Sequence, residues 1–306
     1  MSPIGVLLMA YGGPNSLDEV PGYLADIRAG RTTPRVILEE IVHNYAAIGG
    51  RSPLLEISQR QAHAVAQLLA QRPEPYRVYL GMRHWSPWIE DTLRQMLDEG
   101  IERSVALVLA PHYSSMSIAR YQARLQRGLE FYHGSIEFSF VKSYHDHPKL
   151  IRALAERVRM GLERLGPDAH VILSAHSLPA RLIEEGDPYP EQLLTTARLV
   201  AAEAGLPEGA WSWSYQSAGR TAEPWLGPAY EDHLTELARR GVRKVVAVPV
   251  GFVADHVEIL FDLDLKARGL AEELGLEFFR PPALNEDPLF MEALAEVIVT
   301  HTPWKA

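Results

Sequence analysis

The chain repeats itself, and this repeat constrains the fold more than any other feature of the sequence. Three blocks recur in the same order, at an offset of 141 and then 140 residues: 87–93 with 228–234, 105–109 with 245–249, and 148–156 with 288–296. One such match could arise by chance, but three in one order indicate an internal duplication. We therefore expect two halves of similar fold.

Within each half, short apolar runs alternate with stretches of helical periodicity. The runs are of the length typical of fully buried strands and cover 4–10, 76–81, 104–110, 136–141, 170–175, 211–215, 243–250 and 276–280. Helical spacing connects several of them, as in 57–69, 89–97 and 192–204. This alternation predicts an α/β fold with parallel sheets and right-handed crossovers. The cleft between the halves is the expected active site.

The pattern also predicts where segments begin and end. The expected boundaries are an N-terminal α/β half at 1–147, a connecting helix at 148–166, a C-terminal α/β half at 167–285 and a C-terminal helix at 286–306. Gly100 and Gly241 lie just before strands, at the C′ position where glycine commonly ends a helix. Ser52 and Pro53 are predicted as the N-cap and first residue of a helix.

The composition is that of a globular protein and excludes several kinds of site. Hydrophobic residues make up 47% and charged residues 23% of the 306 residues, which suffices for a large core. The net charge of -9 disfavours a general nucleic-acid binder. The absence of cysteine excludes disulfides, thiolate metal sites and cysteine-ligated iron–sulfur clusters. Any metal must be bound by His, Asp, Glu, Tyr or backbone oxygen.

Familiar targeting and nucleotide-binding motifs are missing. No apolar run approaches the roughly 18 residues of a membrane span, and no secretory signal opens the chain. We therefore expect no stable membrane insertion and a cytoplasmic location. The sequence lacks G-x-G-x-x-G and the Walker lysine pattern, which argues against dinucleotide and nucleoside triphosphate binding. It also lacks G-x-S-x-G and H-E-x-x-H, so the common hydrolase interpretations lose support.

His176 and Glu258 are the most informative pair of polar residues. His176 ends the apolar run 171–175, and Glu258 follows the apolar run 245–253. Ligands in α/β proteins bind at the carboxyl ends of adjacent strands, so these side chains are expected to lie close together. An imidazole and a carboxylate can bind Fe²⁺ or a similar metal, or accept protons.

Each of these residues has an ordinary alternative. A lone histidine beside a strand more often forms a hydrogen bond in the core, although the small neighbours of His176 leave space around its ring. Asp255, Glu258 and Asp262 would share one face of a helix, and such a face is usually solvated. Here the intervening residues 259–261 are apolar, which indicates a largely buried helix whose carboxylates need a partner or a metal.

Two features of the first half point to the same cleft. Tyr11 lies at the end of the first strand, and His176 lies at the equivalent position in the second half. A pseudo-twofold axis between the halves would turn both side chains toward one cleft. Arg28 and Arg31 follow in a loop. Because arginine pairs bidentately with carboxylates, this loop could bind an acidic ligand, although a solvated helix end is an equally good interpretation.

Six blocks together resemble the ferrochelatase family in the right order across nearly the whole chain: 7–14, 48–54, 174–179, 187–190, 223–228 and 248–258. The tyrosine at position 11 is similar to the residue that the coproporphyrin III ferrochelatases of monoderm-type bacteria carry there. The resemblance implies two Rossmann-like halves of class II chelatase type. It also implies insertion of Fe²⁺ into coproporphyrin III, which yields coproheme and two protons in haem biosynthesis.

The resemblance further implies a set of site residues. Those matching His176 and Glu258 bind the incoming iron or take the pyrrole protons, and Asp262 is a candidate outer ligand. The residue matching Tyr11 ligates the product iron axially. The implied porphyrin-binding residues are Tyr11, Ile27, Arg28, Asn44, Tyr45, Ser52, Tyr121 and Trp225. The helix after His256 is expected to be π-type at its acidic face.

The sequence departs from the family at two positions. Asn44 stands where an arginine is common, which puts one propionate contact in doubt, and Lys266 replaces an acidic residue that extends the carboxylate line in some members. We expect no permanently bound cofactor and no iron–sulfur cluster, with Fe²⁺ as a substrate. Coproporphyrin III and coproheme are the expected partners, with transient contact to a downstream haem-pathway enzyme. Nucleic acid is not expected as a partner.

Other functions remain open at this stage. A protoporphyrin IX ferrochelatase and a cobalt or nickel chelatase of a related tetrapyrrole both fit the pair of His176 and Glu258. A haem or metal carrier that binds without inserting belongs to a different class of protein. Multiple turnovers at substoichiometric protein would exclude the carrier.

Overall fold

The computed structural model describes residues 2–219 and 221–304. Two compact units are present: the first comprises Met1–Tyr144 and Asn285–Ala306, and the second comprises His145–Leu284. The helix predicted at 148–166 therefore lies in the second unit, and the helix predicted at 286–306 lies in the first. The outermost residues of the predicted terminal segments (1, 305 and 306) lie outside the described residues.

Each unit contains a four-stranded parallel sheet. The strands of the first are β1 (Ile4–Ala10), β2 (Tyr76–Met82), β3 (Arg103–Val108) and β4 (Glu137–Val141), in the order β2-β1-β3-β4. Those of the second are β5 (His170–His176), β6 (Trp211–Gln216), β7 (Lys244–Val248) and β8 (Glu277–Phe279), in the order β6-β5-β7-β8. The eight predicted strands are confirmed, and the identical order in the two sheets agrees with the duplication.

The depth of burial differs between central and edge strands. Every residue of β1 is buried, and Leu8 pairs with Leu80 on one side and Leu107 on the other. The edge strands β2, β4, β6 and β8 are only partly buried. The prediction that all runs would be fully buried is therefore wrong for the edges, because an edge strand has a neighbour on one side only.

Helices connect the strands in both units. The first unit contains a 3-10 turn (Leu17–Glu19), α1 (Val20–Ile27), α2 (Arg35–Ala47), α3 (Leu54–Leu69), α4 (Ile89–Asp98), α5 (Ile118–Phe131) and α12 (Pro288–Thr300). The second contains α6 (Pro148–Leu165), α7 (Arg181–Glu184), α8 (Tyr189–Ala204), α9 (Tyr230–Arg239), α10 (Val257–Leu260), a π-helix (Asp262–Ala267) and α11 (Arg268–Glu273). The predicted π-type helix is thus confirmed. Among the residues described, no helix combines the length and apolarity needed to cross a bilayer.

The equivalent helices α4 and α9 end in the same way. Gly100 and Gly241 have positive φ angles of 73° and 91°, which glycine adopts without steric cost. The amide after each glycine bonds to a carbonyl five residues back, from Ile101 to Met96 in α4. This is the Schellman arrangement, so the predicted C′ positions are confirmed.

The start of α3 differs by one residue from the prediction. The helix begins at Leu54, and Pro53 is its N-cap rather than its first residue. Ser52 still caps the helix, because its Oγ accepts a hydrogen bond of 3.3 Å from the Leu54 amide. Local capping geometry is shared between neighbouring residues at a helix end, so the sequence could not separate these two positions.

Packing explains which unit each long helix joins. α12 packs on α3, whereas α6 packs on α8 and β7. In the first unit, α4 and α5 cover one face of the sheet through Leu93 and Tyr121. In the second, α9, α10 and the π-helix cover the sheet through Leu234, Ile259 and Leu263. The carboxyl ends of the strands are left to the loops that carry polar side chains.

Candidate active site

His176 and Glu258 meet at the carboxyl edge of the second sheet. His176 is the last residue of β5, and Glu258 lies in α10 after β7. The His176 Nε2 atom is 3.4 Å from the Glu258 Oε1 atom. Both side chains are partly accessible, at 29% and 38% exposure. The predicted proximity is confirmed, and an incoming metal or proton can reach both groups.

The His176 ring is oriented by its own turn. Its Nδ1 atom hydrogen-bonds to the Ser177 carbonyl, which must accept, so Nδ1 carries a proton. In the neutral tautomer, the lone pair is therefore on Nε2, the atom that faces Glu258. The Tyr189 hydroxyl donates to the His176 carbonyl at 2.9 Å and fixes the backbone of the strand end. This arrangement presents the Nε2 atom, which in the neutral ring is free of a proton, toward the carboxylate.

Gln216 fixes the other member of the pair. Its Nε2 atom donates to the Glu258 carbonyl at 2.8 Å, and its Oε1 atom accepts from the Ser174 hydroxyl at 2.9 Å. Gln216 ends β6, beside β5. The buried amide thus ties α10 to two strand ends.

A glycine allows the loop after β7 to approach β5 closely. A Cβ atom at Gly251 would lie 2.4 Å from the Ala175 Cβ, and the Gly251 amide donates to the Ser174 carbonyl at 3.1 Å. No larger residue fits without moving the strand. This contact sets the path of the chain that leads to α10.

His176 and Glu258 each stabilise the charged form of the other. Burial by itself would lower the pKa of His176, but the negative charge of Glu258 and its hydrogen bond raise that pKa above its ordinary value. Burial would likewise raise the pKa of Glu258, but the imidazole of His176 lowers it. The pair therefore favours an imidazolium beside a carboxylate. A metal ion that binds Nε2 must displace that proton.

Asp262 continues the line of carboxylates, but Asp255 does not. Burial raises the pKa of Asp262 to about 6, opposed by a hydrogen bond from Ser217 and reinforced by the charge of Glu258. Asp255 precedes α10 and pairs with Arg280 at 2.9 Å. The predicted shared face of three carboxylates is therefore wrong, because the helix begins only at Val257.

Lys266 pairs with Glu231 on α9, at the outer end of the π-helix. An ammonium group thus lies where an additional carboxylate would extend the line. Within the described residues, no group of three or more His, Asp or Glu side chains is arranged to hold a metal ion. The described part of the second unit instead presents one partly exposed pair, His176 and Glu258.

Arg280 secures the π-helix. Its guanidinium binds both carboxylate oxygens of Asp264 at 2.6 Å and one oxygen of Asp255 at 2.9 Å. The side chain is only 7% exposed and follows β8 directly. One buried arginine thereby joins the loop before α10 to the π-helix.

In the first unit, aromatic and basic side chains gather beyond β1 and β2. Tyr11 directly follows β1, is 40% exposed and lies 4.5 Å from the ring of His84. The Arg83 guanidinium carbon is 5.8 Å from the Tyr11 ring centre and 5.3 Å from that of Tyr121. Burial raises the pKa of the Tyr121 hydroxyl. Two predicted porphyrin contacts, Tyr11 and Tyr121, are thus brought together by a residue that the sequence analysis did not select.

A partly buried ionic network supports His84. Its Nδ1 atom contacts Asp26 at 2.7 Å, and Arg124 contacts the same carboxylate at 3.3 Å. Arg124 also binds Glu90 at 2.7 Å. Burial lowers the pKa of His84 to about 4, only partly offset by Asp26. His84 is therefore neutral at physiological pH.

Ser52 and Tyr45 form a second group beneath the loop after β1. A Cβ atom at Gly13 would lie 2.6 Å from the Ser52 side chain, so this loop approaches α3 closely. Tyr45 is buried on α2, and its ring meets that of Tyr23 edge-on at 6.3 Å. These two predicted porphyrin contacts are adjacent through Gly13.

The remaining predicted contacts lie in separate places. Ile27 ends α1, and Arg28 follows it, with its Nη2 atom bonded to the Thr32 carbonyl at 3.2 Å. The buried Nε atom of Arg28 has no hydrogen-bond partner among the residues described. Asn44 is half-buried on α2. Trp225, in the second unit, is half-buried and donates to Thr221 at 2.8 Å.

A family model described as Ferrochelatase matches residues 3–302. The chain belongs to the ferrochelatase family. It is 58% identical over 300 residues to the ferrochelatase of Deinococcus radiodurans, which covers 97% of this chain and 95% of that one. It is 42% identical over 302 residues to the coproporphyrin III ferrochelatase of Geobacillus kaustophilus, with 96% and 95% covered. The enzyme therefore inserts iron into a porphyrin in haem biosynthesis.

Solved chelatases share the fold of this ferrochelatase. The sirohydrochlorin chelatase SirB from Bacillus subtilis subspecies spizizenii, solved with cobalt, matches with a TM-score of 0.60 at 12% identity, covering 98% of this chain and 95% of that one. CbiX, the terminal enzyme of siroheme biosynthesis in denitrifying bacteria, matches at 0.56 and 15%, covering 97% and 98%. The predicted class II chelatase fold is confirmed.

Several polar residues of this ferrochelatase were missed by the sequence analysis. Arg83 follows β2, Gln216 ends β6 and Arg280 follows β8, so all three lie at carboxyl strand ends. The rule that selected His176 would have found them if it had been applied to every strand. Their partners, however, come from distant positions that spacing does not reveal.

The neutral state of His84 predicts acid sensitivity in this ferrochelatase. A histidine with a pKa of about 4 when folded and 6.5 when unfolded binds protons more readily in the unfolded chain. Its stabilising effect is present above pH 6.5 and is lost as the pH falls toward 4. We expect His84→Asn, which retains a donor for Asp26, to remove roughly 3 kcal/mol of this pH dependence. Urea unfolding between pH 7.5 and 4.5, in about half-unit steps, measures it.

A matched control is His63→Asn, because His63 is exposed on α3. The control should retain the wild-type slope of stability against pH. An identical slope in His84→Asn would contradict the assignment of a neutral, buried imidazole.

Proposed function

We propose that the enzyme inserts Fe²⁺ into coproporphyrin III, forming coproheme and releasing two protons. The observation that carries the reaction is the 3.4 Å approach of the His176 and Glu258 side chains at a strand end. The choice of porphyrin is supported by Tyr11 and by relatives such as those of Geobacillus kaustophilus and Bacillus subtilis, which are named coproporphyrin III ferrochelatases.

His176 and Glu258 are proposed to receive the iron and the pyrrole protons. A porphyrin offers four nitrogens, two of which carry protons that block entry of the metal. The His176 Nε2 atom binds iron once its own proton has passed to Glu258, and the Glu258 carboxylate then accepts the two pyrrole protons in turn as each earlier proton is passed on. Binding energy from the porphyrin rim can tilt a pyrrole toward the metal and so expose its lone pair.

Asp262 is proposed to take protons onward from Glu258 and to act as an outer iron ligand. Its pKa of about 6 lies close enough to neutrality for it to gain and lose a proton during turnover. Ser217 donates a hydrogen bond to its carboxylate and keeps it oriented. Lys266 and Glu231 form an ion pair beyond Asp262, so the row of carboxylates ends there.

The first unit and Trp225 are proposed to bind the macrocycle. Tyr11 would ligate the product iron, and the proposed rim contacts are Ile27, Arg28, Asn44, Tyr45, Ser52, Tyr121 and Trp225. The buried Nε atom of Arg28 has no acceptor among the described residues, which supports a propionate contact, because a buried donor without an acceptor is costly. At position 44 an amide offers a weaker contact than a guanidinium.

Anaerobic steady-state kinetics with two porphyrins tests the proposal. We expect kcat/KM for coproporphyrin III to exceed that for protoporphyrin IX by at least about tenfold, since each additional charge-assisted contact contributes on the order of 1.5–3 kcal/mol. Equal or higher activity with protoporphyrin IX would contradict the proposed substrate. Co²⁺ and sirohydrochlorin serve as controls, and their preference would indicate a sister chelatase.

A further inference from the structure

Arg83 occupies an unusual environment in the first unit. It directly follows β2 and is half-buried, with its guanidinium within 6 Å of the ring centres of both Tyr11 and Tyr121. A cation over an aromatic face is attracted by the ring, which holds the guanidinium in place. The cation therefore joins the tyrosine proposed to reach the iron and a tyrosine proposed to reach the porphyrin rim.

Within the described part of the chain, no carboxylate pairs with the charge of Arg83. Among the described residues, no carboxylate lies within 4.0 Å of its guanidinium, and the guanidinium donates no hydrogen bond. Two other arginines with little exposure differ from Arg83 in this respect, because Arg124 and Arg280 each bind two carboxylates. Partial burial of a charge without a counter-ion costs free energy. A forked donor in this state is suited to an incoming carboxylate.

We propose that Arg83 binds a propionate carboxylate of the porphyrin substrate. This proposal rests on the proposed function, since it assigns a further residue to the same site. Arg83 also supplies a cation to a site where position 44 carries only an amide. The guanidinium gains its counter-ion only when porphyrin is bound. The contact therefore contributes to substrate affinity and not to the stability of the empty protein.

A structural role for Arg83 makes a different prediction. If the guanidinium served only to pack between the two rings, its removal would weaken all porphyrins equally. If it binds a carboxylate, the loss depends on the charge of the substrate and falls as ionic strength rises. The two roles are therefore separated by changing the substrate as well as the residue.

The test measures binding of coproporphyrin III and its tetramethyl ester, the latter dispersed in detergent, by tryptophan fluorescence quenching. We expect Arg83→Gln to raise the Kd of the free acid about tenfold, the effect of one lost charge-assisted contact, and to leave that of the ester within about twofold. Arg83→Lys, which keeps the charge but not the fork, should recover part of the loss. In iron insertion, KM should rise with little change in kcat.

The matched control is Arg94→Gln, because Arg94 also lies over a tyrosine ring, 5.7 Å from the centre of Tyr132, but pairs with Asp98 on the surface of α4. It should not alter either Kd. Equal losses for acid and ester, or an unchanged Kd for the acid in a folded Arg83→Gln protein, would overturn the proposal.

The same binding comparison distinguishes a failure of this proposal from a failure of the proposed function. If the wild-type enzyme prefers protoporphyrin IX, the choice of substrate fails, but that porphyrin also carries propionates. The comparison is then made with protoporphyrin IX and its dimethyl ester. An acid-specific loss in Arg83→Gln supports the contact in either case, and its absence contradicts it in either case.

Discussion

His176→Ala should lower kcat for iron insertion by about 10²–10⁴-fold while coproporphyrin III still binds with near wild-type affinity. The reason is the position of the imidazole: Nδ1 is held by the Ser177 carbonyl, and Nε2 points at Glu258. Alanine removes the nitrogen that is proposed to receive iron or protons. It leaves the proposed contacts of the macrocycle rim in place.

Anaerobic turnover and porphyrin fluorescence, measured on the same preparations, check this result. His170→Ala is the matched control, since His170 begins the same strand and bonds to Ser212 at 2.8 Å, away from the carboxyl edge. It should retain kcat within about threefold, a loss far smaller than that expected for a catalytic group. A companion variant, Glu258→Gln, should also lower kcat more than it raises the porphyrin KM. Near-normal turnover in His176→Ala would remove the role assigned to the pair.

Arg280→Met should destabilise the protein by about 3–5 kcal/mol, because it leaves two sheltered carboxylates without their cation. Asp255 and Asp264 are only 16% and 22% exposed, so solvent cannot replace the guanidinium. We expect the π-helix to lose its anchor to the loop before α10. Iron insertion should fall as well, because Glu258 lies between these two segments.

Thermal and urea unfolding measure the effect, with iron insertion followed at a temperature at which the variant is folded. Arg268→Met is the control: Arg268 lies 3.9 Å from the same Asp264 but is 43% exposed, and an exposed pair contributes about 0–1 kcal/mol. Comparable losses in the two variants would show that the Arg280 network does not hold this region together.

The repeat and the strand ends were predictable from sequence because both depend on local pattern. Apolar runs marked all eight strands, and glycines at positions 100 and 241 marked two helix ends, since burial and positive φ each restrict the residue type. The placement of His176 and Glu258 followed from the general rule for parallel sheets. A strong local pattern needs no knowledge of distant partners.

The contacts made by charged residues were less predictable. The sequence pattern predicted that Asp255 would lie on a shared acidic helix face. In the structure, Asp255 pairs with Arg280, and Lys266 pairs with Glu231. In the first unit, the association of Arg83 with Tyr11 and Tyr121 joins residues from three separate segments. Such pairings depend on which segments the sheet order brings together.

The sequence by itself determined the α/β class, the duplication, the strand ends and the identity of the central histidine and glutamate. Only the tertiary structure decided which cation neutralises which carboxylate, and that Arg83 is left without one among the residues described. The physical reason lies in the range of the interactions. Secondary structure and burial are set mainly by neighbours along the chain, whereas ion pairs form between side chains that are adjacent only after folding.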